Sequence, residues 1–247
     1  MLLSVFVPFF NEEEIIERNV SRILGALAQC GVEYEVFLVD DASSDNSPAV
    51  AQRLADEHGR LRYVRYENGP TRRENLAQAF SLAKGETVLF MDMDLATELS
   101  CLGDLIAGIG EGYDMVVGDR YHPSSKIKRR FFRILVSKIY NTFVSLYFGT
   151  SIRDHECGFK AFKKDVIARL VKEMGYDRTL RRGISWDTEL IVRALHQGAR
   201  IKTIALIWNE RDKTSLHFRR EMQMIPYVLS LKKKLSASRT AAGNISA

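Results

Sequence analysis

The feature that most constrains this chain is the regular alternation of short apolar segments with amphipathic ones in its first half. Apolar runs rich in β-branched and aromatic residues predict strands at 2–7, 35–39, 62–66, 87–91 and 114–117. Apolar residues at helical spacing predict helices from residue 12 and at 48–57, 75–83 and 98–109. Because short connections join these elements, we expect an α/β fold with a mostly parallel sheet and helices on both faces.

Acidic residues follow several of these strands directly. Asp40 and Asp41 follow the second predicted strand, Asp92 and Asp94 the fourth, and Asp119 the fifth. Ligands of open parallel sheets bind at the carboxyl ends of the strands. We therefore expect these side chains to gather at one edge of the sheet.

The pair Asp92 and Asp94 carries the most specific chemical prediction. Residues i and i+2 of an extended segment point the same way, so the two carboxylates lie side by side. This arrangement favours a cation, and Mg²⁺ or Mn²⁺ accepts one or two carboxylates together with water and phosphate oxygens. Such a metal neutralises a diphosphate leaving group. Taken alone, the residues are equally compatible with a solvated pair at a strand end.

Two other strand ends carry polar residues. Asn11 precedes three glutamates that begin at Glu12, which on its own indicates an ordinary helix N-cap. Asp40 and Asp41 precede small polar residues. A carboxylate there can accept hydrogen bonds from ribose hydroxyls or a base N–H, and the alternative is a turn rich in Asp, Asn and Ser.

The second half of the chain has a different character. We predict a long basic and aromatic helix at 126–147, an edge strand at 159–162, a helix at 185–196, a strand at 201–208 and an amphipathic helix at 219–235. The last residues, 236–247, are small and polar, and we expect them to be disordered.

Composition excludes several kinds of protein. With 247 residues, 46% of them hydrophobic and 27% charged, the chain has enough apolar residues for one sizeable core and is not typical of a disordered protein. The formal net charge of +5 suggests an anionic partner: phosphate, nucleic acid or an anionic membrane. Three widely spaced cysteines argue against a zinc site or a disulfide scaffold and favour a reducing cytoplasmic compartment.

The sequence shows no signal-peptide pattern and no apolar stretch of the ~18 to 20 residues that span a bilayer. We therefore expect a protein that is soluble or rests on a membrane.

Several short motifs occur in order along the chain. They are Val7-Pro8-Phe9-Phe10-Asn11-Glu12, Val39-Asp40-Asp41-Ala42-Ser43-Ser44-Asp45, Asp92-Met93-Asp94, Gly118-Asp119-Arg120-Tyr121, and the segments 94–97, 154–162 and 186–190. The first three resemble the nucleotide-binding half of family 2 glycosyltransferases. The fourth resembles the Gly-Ser-Arg-Tyr of polyprenyl-phosphate sugar synthases, and the last three resemble the dolichyl-phosphate β-glucosyltransferase branch.

The resemblance implies a GT-A fold with a Rossmann-like sheet and basic amphipathic helices in the second half. It implies a catalytic domain at 1–217, with a nucleotide-sugar-binding half at 1–121 and an acceptor half at 122–217. A C-terminal helix at 218–235 and the tail 236–247 would follow. It also implies a UDP- or GDP-sugar donor, Mg²⁺ or Mn²⁺, and inversion at the anomeric carbon.

The resemblance also assigns residues to the site. The expected nucleotide-sugar-binding residues are Pro8, Phe10, Asn11, Glu12, Asp40, Asp41, Asp92 and Met93, and the expected metal ligands are Asp92 and Asp94. The expected catalytic residues are Asp94, Arg120, Arg211 and Asp187. The residues expected around the acceptor phosphate are Arg120, Arg130, Arg133, Asp154 and Ser215, where the guanidinium groups suit phosphate.

Three of these assignments depend on details of the sequence. Asp187 is the candidate base if the acceptor is a saccharide, and the alternative for it is a helix cap or a structural salt bridge. The segment 68–75 lacks the glycine-rich pattern of the branch, so that Arg72 or Arg73 contacts the diphosphate or, as we favour, is solvated. Lys213-Thr214-Ser215-Leu216 replaces a Gly-Ser-Lys-Leu segment.

The basic residues at 126–138 are interleaved with apolar ones. A basic amphipathic helix can lie in a membrane interface, and the alternative is a helix packed on the core with a solvated basic face. Each basic residue near an anionic leaflet contributes about 1 kcal/mol. A polyprenyl phosphate is already an anion near neutral pH, so it needs cations and an apolar groove rather than a strong base.

We therefore expect hexose transfer, with glucose from UDP-glucose favoured, to a polyprenyl (dolichyl) phosphate by a protein in peripheral contact with the cytoplasmic face of a membrane or in the cytoplasm. Alternatives are a mannose synthase-like enzyme that uses GDP-mannose, a transferase that extends a saccharide, and a non-catalytic nucleotide- or nucleic-acid-binding module. No RNA-recognition motif occurs, so we expect no nucleic-acid partner.

Overall fold

The fold is known from a computed structural model, which describes residues 1–71, 73–179, 182–183, 185–210 and 224–243, without the side chains of residues 224 and 236–243. The strands are β1 Leu2–Phe9, β2 Glu33–Asp40, β3 Leu61–Arg65, β4 Thr87–Met91, β5 Met115–Asp119, β6 Lys126–Lys128, β7 Phe159–Lys163, β8 Ile201–Ala205 and β9 Ile207–Asn209. The helices are α1 Ile16–Gln29, α2 Ser47–Glu57, α3 Glu74–Ala79, α4 Leu102–Gly110, α5 Phe131–Phe148, α6 Lys164–Met174, α7 Ser185–His196 and α8 Met224–Gly243.

Seven of the described strands form one sheet in the order β3-β2-β1-β4-β7-β5-β8. All neighbours pair in parallel except β7, which is antiparallel to β4 and β5. Strands β6 and β9 form a separate parallel pair. The predicted mostly parallel α/β sheet is therefore confirmed.

Helices cover both faces of this sheet, as predicted. Successive strand residues point to opposite faces, so Val5 joins one apolar cluster and Phe6 the other. Helices α1, α2 and α4 pack on the first cluster, and α3, α6 and α7 pack on the second. A third cluster joins α5, α7 and α8 through Tyr140, Val192 and Val228.

The strand predicted at the sheet edge lies inside the sheet. Strand β7 pairs with β4 on one side and with β5 on the other, and Phe159 to Phe162 are all buried. Burial on both faces accounts for the unbroken apolar character of these positions apart from Lys160. The prediction of an edge strand was therefore wrong.

Three other boundaries differ from the prediction. Helix α5 begins at Phe131, because Lys126–Lys128 pairs with β9 instead of continuing the helix. The strand predicted at 201–208 is divided at the buried Leu206 into β8 and β9, which belong to different sheets. Helix α8 runs to Gly243 through residues expected to be disordered, where the alanines have high helix propensity.

Within the described residues, no helix is both long and apolar enough to cross a bilayer.

Candidate active site

The carboxyl ends of three neighbouring strands meet at one edge of the sheet. A non-glycine residue with positive φ follows each of them: Asn11 (56°) after β1, Ala42 (68°) after β2 and Leu95 (51°) after β4. This region is unfavourable for residues with a side chain, and such residues concentrate at functional sites. The backbone therefore turns sharply where the sequence places its polar motifs.

Asp92 and Asp94 line one cleft at this edge, together with Gly158 and Trp208. The intervening Met93 is 2% exposed and packs in the core. The extended segment predicted here is instead a turn, in which the backbone N–H of Leu95 donates to the carbonyl of Asp92 at 3.2 Å, and both carboxylates reach the same cleft. Although Met93 was predicted to bind the nucleotide, its side chain faces away from this cleft.

Asp92 has a cationic partner. Its Oδ1 accepts a hydrogen bond of 2.9 Å from Nη1 of Arg73, while 38% of its side chain stays exposed. On its other side lies Gly158, where a Cβ would stand 1.9 Å from Asp92 Oδ2. Only glycine at position 158 leaves room for this carboxylate.

Arg73 is held by a second carboxylate. Its Nε donates to Oδ2 of Asp187 at 3.2 Å, and its guanidinium lies over the ring of Phe90. Burial alone would lower the pKa of Arg73, but Asp92 and Asp187 outweigh it and raise that pKa, so the guanidinium stays charged. Only 15% of the Arg73 side chain is exposed, and the solvated position that we favoured for it was wrong.

Asp187 is held between two cations, and its role as a base stays a prediction. It is 3% exposed, and its Oδ1 accepts a hydrogen bond of 2.6 Å from Nζ of the fully buried Lys160. Lys160 Nζ also donates to the carbonyl of Cys157. With one oxygen bound by Lys160 and the other by Arg73, Asp187 forms the structural salt bridge that was its alternative interpretation.

The cleft offers two carboxylates, which are part of the ligand set that a small hard cation needs. Asp94 Oδ1 accepts the backbone N–H of Ala96 at 3.0 Å, which fixes the carboxylate at the cleft beside Asp92. In the described part of the chain, no group of three or more His, Cys, Asp or Glu side chains is arranged to hold a metal. Two carboxylates are nevertheless enough for Mg²⁺ or Mn²⁺, which completes its shell with water and phosphate oxygens.

Asn11 connects two strand-end loops and does not cap α1, which begins at Ile16. Its Oδ1 accepts the backbone N–H of Ser44 at 2.8 Å, and its own N–H donates to Ser43 Oγ. The backbone N–H of Glu12 donates to Ser47 Oγ at 2.8 Å. The first motif therefore braces the second. Pro8 and Glu12 are half-buried and Phe10 is 40% exposed, so all three remain candidates for nucleotide contact.

Asp40 is fully buried, and both of its carboxylate oxygens accept hydrogen bonds. Its Oδ2 accepts bonds from Tyr63 Oη at 2.8 Å and Arg65 Nη1 at 2.7 Å, and its Oδ1 accepts the N–H of Ser43 at 2.8 Å. Burial and the hydrogen bond to Asp40 raise the pKa of Tyr63 to about 12. Asp40 thus positions Tyr63 and Arg65 of β3, and its contact with a nucleotide stays a prediction.

Asp41 is 5% exposed and shapes the segment that carries Arg73. It accepts hydrogen bonds from the N–H of Thr71 at 2.7 Å, from Thr71 Oγ1 at 2.9 Å and from Asn75 Nδ2 at 2.6 Å. Both residues flank Arg73 in the chain. The second motif therefore helps to bring Arg73 to Asp92, and direct nucleotide contact by Asp41 stays a prediction.

Arg120 and Asp154, both expected near the acceptor phosphate, form a buried bidentate pair with N–O distances of 2.6 and 2.7 Å. Burial alone would raise the pKa of Asp154, but the charge and hydrogen bonds of Arg120 lower it below its usual value. The Arg120 guanidinium also lies over the ring of Trp208, 5.2 Å from its centroid. Arg120 is thus fixed against Trp208, which lines the aspartate cleft.

A second cationic group lies at the start of α5. Glu210 accepts hydrogen bonds from Arg133 Nη1 at 2.7 Å, from Arg129 Nε at 3.3 Å and from the backbone N–H of Arg130 at 3.0 Å. Burial alone would raise the pKa of Glu210, but these bonds lower it. The predicted phosphate ligands Arg130 and Arg133 therefore converge on an anionic group. Arg211 and Ser215 lie outside the described residues.

Residues 4–171 match the family described as glycosyl transferase family 2, which is more than half of the chain. The chain belongs to glycosyl transferase family 2. This confirms the resemblance carried by the sequence motifs.

Relatives within the family are named for different sugars. The chain is 31% identical over 223 residues to glycosyltransferase AglD of Haloferax volcanii, covering 89% of this chain and 35% of AglD. It is 26% identical to the dolichyl-phosphate beta-glucosyltransferase of Saccharomyces cerevisiae, covering 87% of this chain and 69% of the relative. It is 32% identical to the dolichol-phosphate mannosyltransferase of Pyrococcus furiosus, covering 68% and 47%. The chain thus spans about a third of the length of AglD and about half of that of the Pyrococcus enzyme.

Solved structures of two other proteins share the fold. Glucosyl-3-phosphoglycerate synthase from Mycobacterium tuberculosis, in complex with Mn²⁺, UDP and glucosyl-3-phosphoglycerate, superposes with a TM-score of 0.64 at 19% identity, covering 93% of this chain and 79% of that one. S. aureus TarS with UDP-GlcNAc gives a TM-score of 0.59 at 19% identity, covering 94% and 66%. The predicted GT-A fold is therefore confirmed.

The structure adds three residues that the sequence prediction gave no role in the site, Gly158, Lys160 and Trp208, and it gives Arg73 a role other than the two weighed for it. Arg73 and Lys160 hold Asp92 and Asp187, Gly158 makes room for Asp92, and Trp208 lines the cleft. Lys160 and Gly158 stand within the motif at 154–162. A buried lysine inside an otherwise apolar strand was the signal that could have indicated a paired carboxylate.

Proposed function

We propose that this family 2 member is a metal-dependent, inverting glycosyltransferase that moves a hexose from a nucleotide sugar to a polyprenyl phosphate. Glucose from UDP-glucose is the favoured donor. The observation that carries the proposal is the continuity between the aspartate cleft and the arginine-rich start of α5, whose outer side is apolar.

The continuity runs through Trp208. This side chain lines the cleft of Asp92 and Asp94 and contacts the guanidinium of Arg120. Trp208 lies on β9, which pairs with β6 immediately before the arginines. Two residues later, Glu210 binds Arg129 and Arg133. A donor diphosphate at the aspartates and an acceptor phosphate at the arginines would therefore be neighbours.

Helix α5 has its apolar side outward. The exposed fractions are 80% for Phe131, 59% for Phe132, 45% for Leu135, 62% for Ile139 and 79% for Leu146. The buried side of the same helix is mostly polar and consists of Arg133, Ser137, Tyr140, Asn141 and Val144.

A helix that exposes an apolar stripe and hides polar residues needs an apolar surface against it. We infer that this stripe rests in the interface of a membrane, where the basic residues at its start favour anionic lipids. The arginine cluster would then stand at the level of lipid phosphates. This geometry favours a lipid-linked acceptor over a soluble saccharide.

The reaction can be written from these groups. An oxygen of the acceptor phosphate attacks the anomeric carbon, the bond from that carbon to the nucleoside diphosphate breaks, and the configuration inverts. The acceptor phosphate is already an anion, so this attack needs no strong general base, in keeping with the ion pairs that engage both oxygens of Asp187. A divalent ion at Asp92 and Asp94 would neutralise the departing diphosphate.

The names of the relatives support a lipid phosphate acceptor and leave the sugar open. The name of the yeast glucosyltransferase supports glucose, whereas the name of the Pyrococcus mannosyltransferase supports mannose, for which GDP-mannose is the donor that we would expect here. Radiolabelled UDP- and GDP-sugars, offered one at a time with a short polyprenyl phosphate and Mg²⁺ or Mn²⁺, distinguish them. We expect a chloroform-soluble product from UDP-glucose; a product from GDP-mannose alone would replace glucose with mannose, and none from any donor would refute the proposal.

The outward stripe of α5 leads to a binding prediction. We expect the triple change Phe131→Ser, Leu135→Ser and Ile139→Ser to weaken binding to liposomes with anionic lipids by about tenfold or more, because a buried apolar side chain of this size contributes roughly 1.5 to 3 kcal/mol. Co-sedimentation with vesicles measures it. The control is Leu82→Ser, at a leucine that is 42% exposed elsewhere. Equal loss in both variants would show that the stripe has no special role.

A further inference from the structure

We propose that Arg73 is a positioning residue for Asp92, and that its charge makes metal binding at the aspartate pair depend on the nucleotide diphosphate. The proposal deepens the proposed function, since it takes Asp92 and Asp94 as the metal site of that reaction. It assigns to Arg73 a task different from direct contact with the substrate.

The first support is the row of alternating charges behind the cleft. Lys160 Nζ binds Asp187 Oδ1 at 2.6 Å, Asp187 Oδ2 binds Arg73 Nε at 3.2 Å, and Arg73 Nη1 binds Asp92 Oδ1 at 2.9 Å. Two positive and two negative side chains cancel. Asp92 therefore presents less negative charge to a cation than an unpaired carboxylate would.

The second support is the rigidity of this row. Lys160 is fully buried and Asp187 is 3% exposed, so neither has room to turn away. The ring of Phe90 lies against both cations, with Lys160 Nζ 5.3 Å and the Arg73 guanidinium 5.1 Å from its centroid. A guanidinium anchored in this way fixes the direction of the partly exposed Asp92.

Electrostatics then predicts the order of binding. A divalent cation near Asp92 is repelled by the fixed charge of Arg73, and the repulsion is appreciable at a distance of a few ångströms in a partly exposed site. A diphosphate brings negative charge that overcomes it. We therefore expect weak metal binding by the protein alone and tight binding once a nucleoside diphosphate is present.

Two substitutions move metal affinity in opposite directions. Arg73→Gln removes the positive charge, so we expect the variant without nucleotide to bind Mn²⁺ about fivefold or more tightly than the wild type. Asp187→Asn keeps Arg73 but removes one of the two carboxylates that neutralise its charge. We therefore expect this variant to bind Mn²⁺ more weakly than the wild type. A purely structural role of the row would shift both affinities the same way. Free Mn²⁺ measured by electron paramagnetic resonance gives both dissociation constants.

The same titration with UDP present completes the test. In Arg73→Gln the gain in Mn²⁺ affinity caused by UDP should shrink, while in Arg73→Lys, which keeps the charge, it should stay near the wild-type value. Arg193→Gln is the matched control, because Arg193 has a similar exposure of 10% and also binds two carboxylates, Glu173 and Glu189.

Mn²⁺ affinity without UDP that stays within twofold of wild type in Arg73→Gln would overturn the proposal. If that variant does not fold, unchanged or tighter Mn²⁺ binding by Asp187→Asn would overturn it instead. The measurement needs no sugar transfer, so a protein that fails to transfer glucose would still return a clear result for Arg73.

Discussion

Replacing Asp94 with alanine is expected to lower the turnover number by about a thousandfold or more. The carboxylate lies in the cleft beside Asp92 and would hold the cation that neutralises the departing diphosphate. A thousandfold loss corresponds to about 4 kcal/mol of transition-state stabilisation. The initial rate of lipid-linked product formation at saturating donor and metal measures the effect.

The control for this change is Asp104→Ala, which removes an exposed acid from α4. That variant should keep the wild-type rate and separate loss of the site from loss of overall charge. Turnover of Asp94→Ala within tenfold of wild type would remove the metal role from the aspartate pair.

Replacing Gly158 with alanine is expected to lower turnover by about a hundredfold, the size of loss that follows a displacement of about 1 Å at a reacting centre. The new Cβ would stand 1.9 Å from Asp92 Oδ2 and 2.9 Å from Arg73 Nη2. Both side chains would have to move. Because Asp92 is partly exposed and can turn toward solvent, we expect the fold to tolerate the change. The turnover number should therefore fall while the melting temperature changes little.

Gly103→Ala is the matched control, since a Cβ at this position of α4 meets no atom within 4 Å. Steady-state rates and thermal melting of the two variants give the comparison. If Gly158→Ala keeps more than half of the wild-type turnover, the close approach of residue 158 to Asp92 has no catalytic consequence.

The strand ends of the first half were predictable from the sequence because each depends on local patterns. Apolar runs followed by acids specify where β2 and β4 end, and the turn after β4 brings Asp92 and Asp94 to one cleft. The position of β7 was not predictable in this way. Its neighbours β4 and β5 precede it by about 40 or more residues, and no local pattern states which strands it separates.

The charged row at the site shows the same limit. Arg73 and Asp187 are 114 residues apart in the chain, and only the packing of α7 against the sheet brings them together. Read locally, an arginine beside another arginine at a helix start indicates a solvated side chain. A tertiary partner reverses that interpretation, since the pair of carboxylates stabilises a guanidinium that is mostly buried.

The sequence predicts that α5 is basic and apolar, but it does not predict which side of the helix faces outward. The sequence shows that basic residues are interleaved with apolar ones along 126–138 and that apolar residues continue to 148. It does not show that β6 takes up the first basic residues or that Glu210 draws Arg133 inward. These contacts turn Phe131, Leu135 and Ile139 outward, and they carry the proposal of a lipid acceptor.

The most direct test of that proposal compares two acceptors that differ only in the phosphate. Labelled UDP-glucose and Mn²⁺ are incubated with a short polyprenyl phosphate in one reaction and with the same polyprenol lacking the phosphate in the other. We predict chloroform-soluble label from the phosphate and none above background from the alcohol. Equal labelling of both lipids, or label that passes only to a water-soluble saccharide, would contradict transfer to a polyprenyl phosphate.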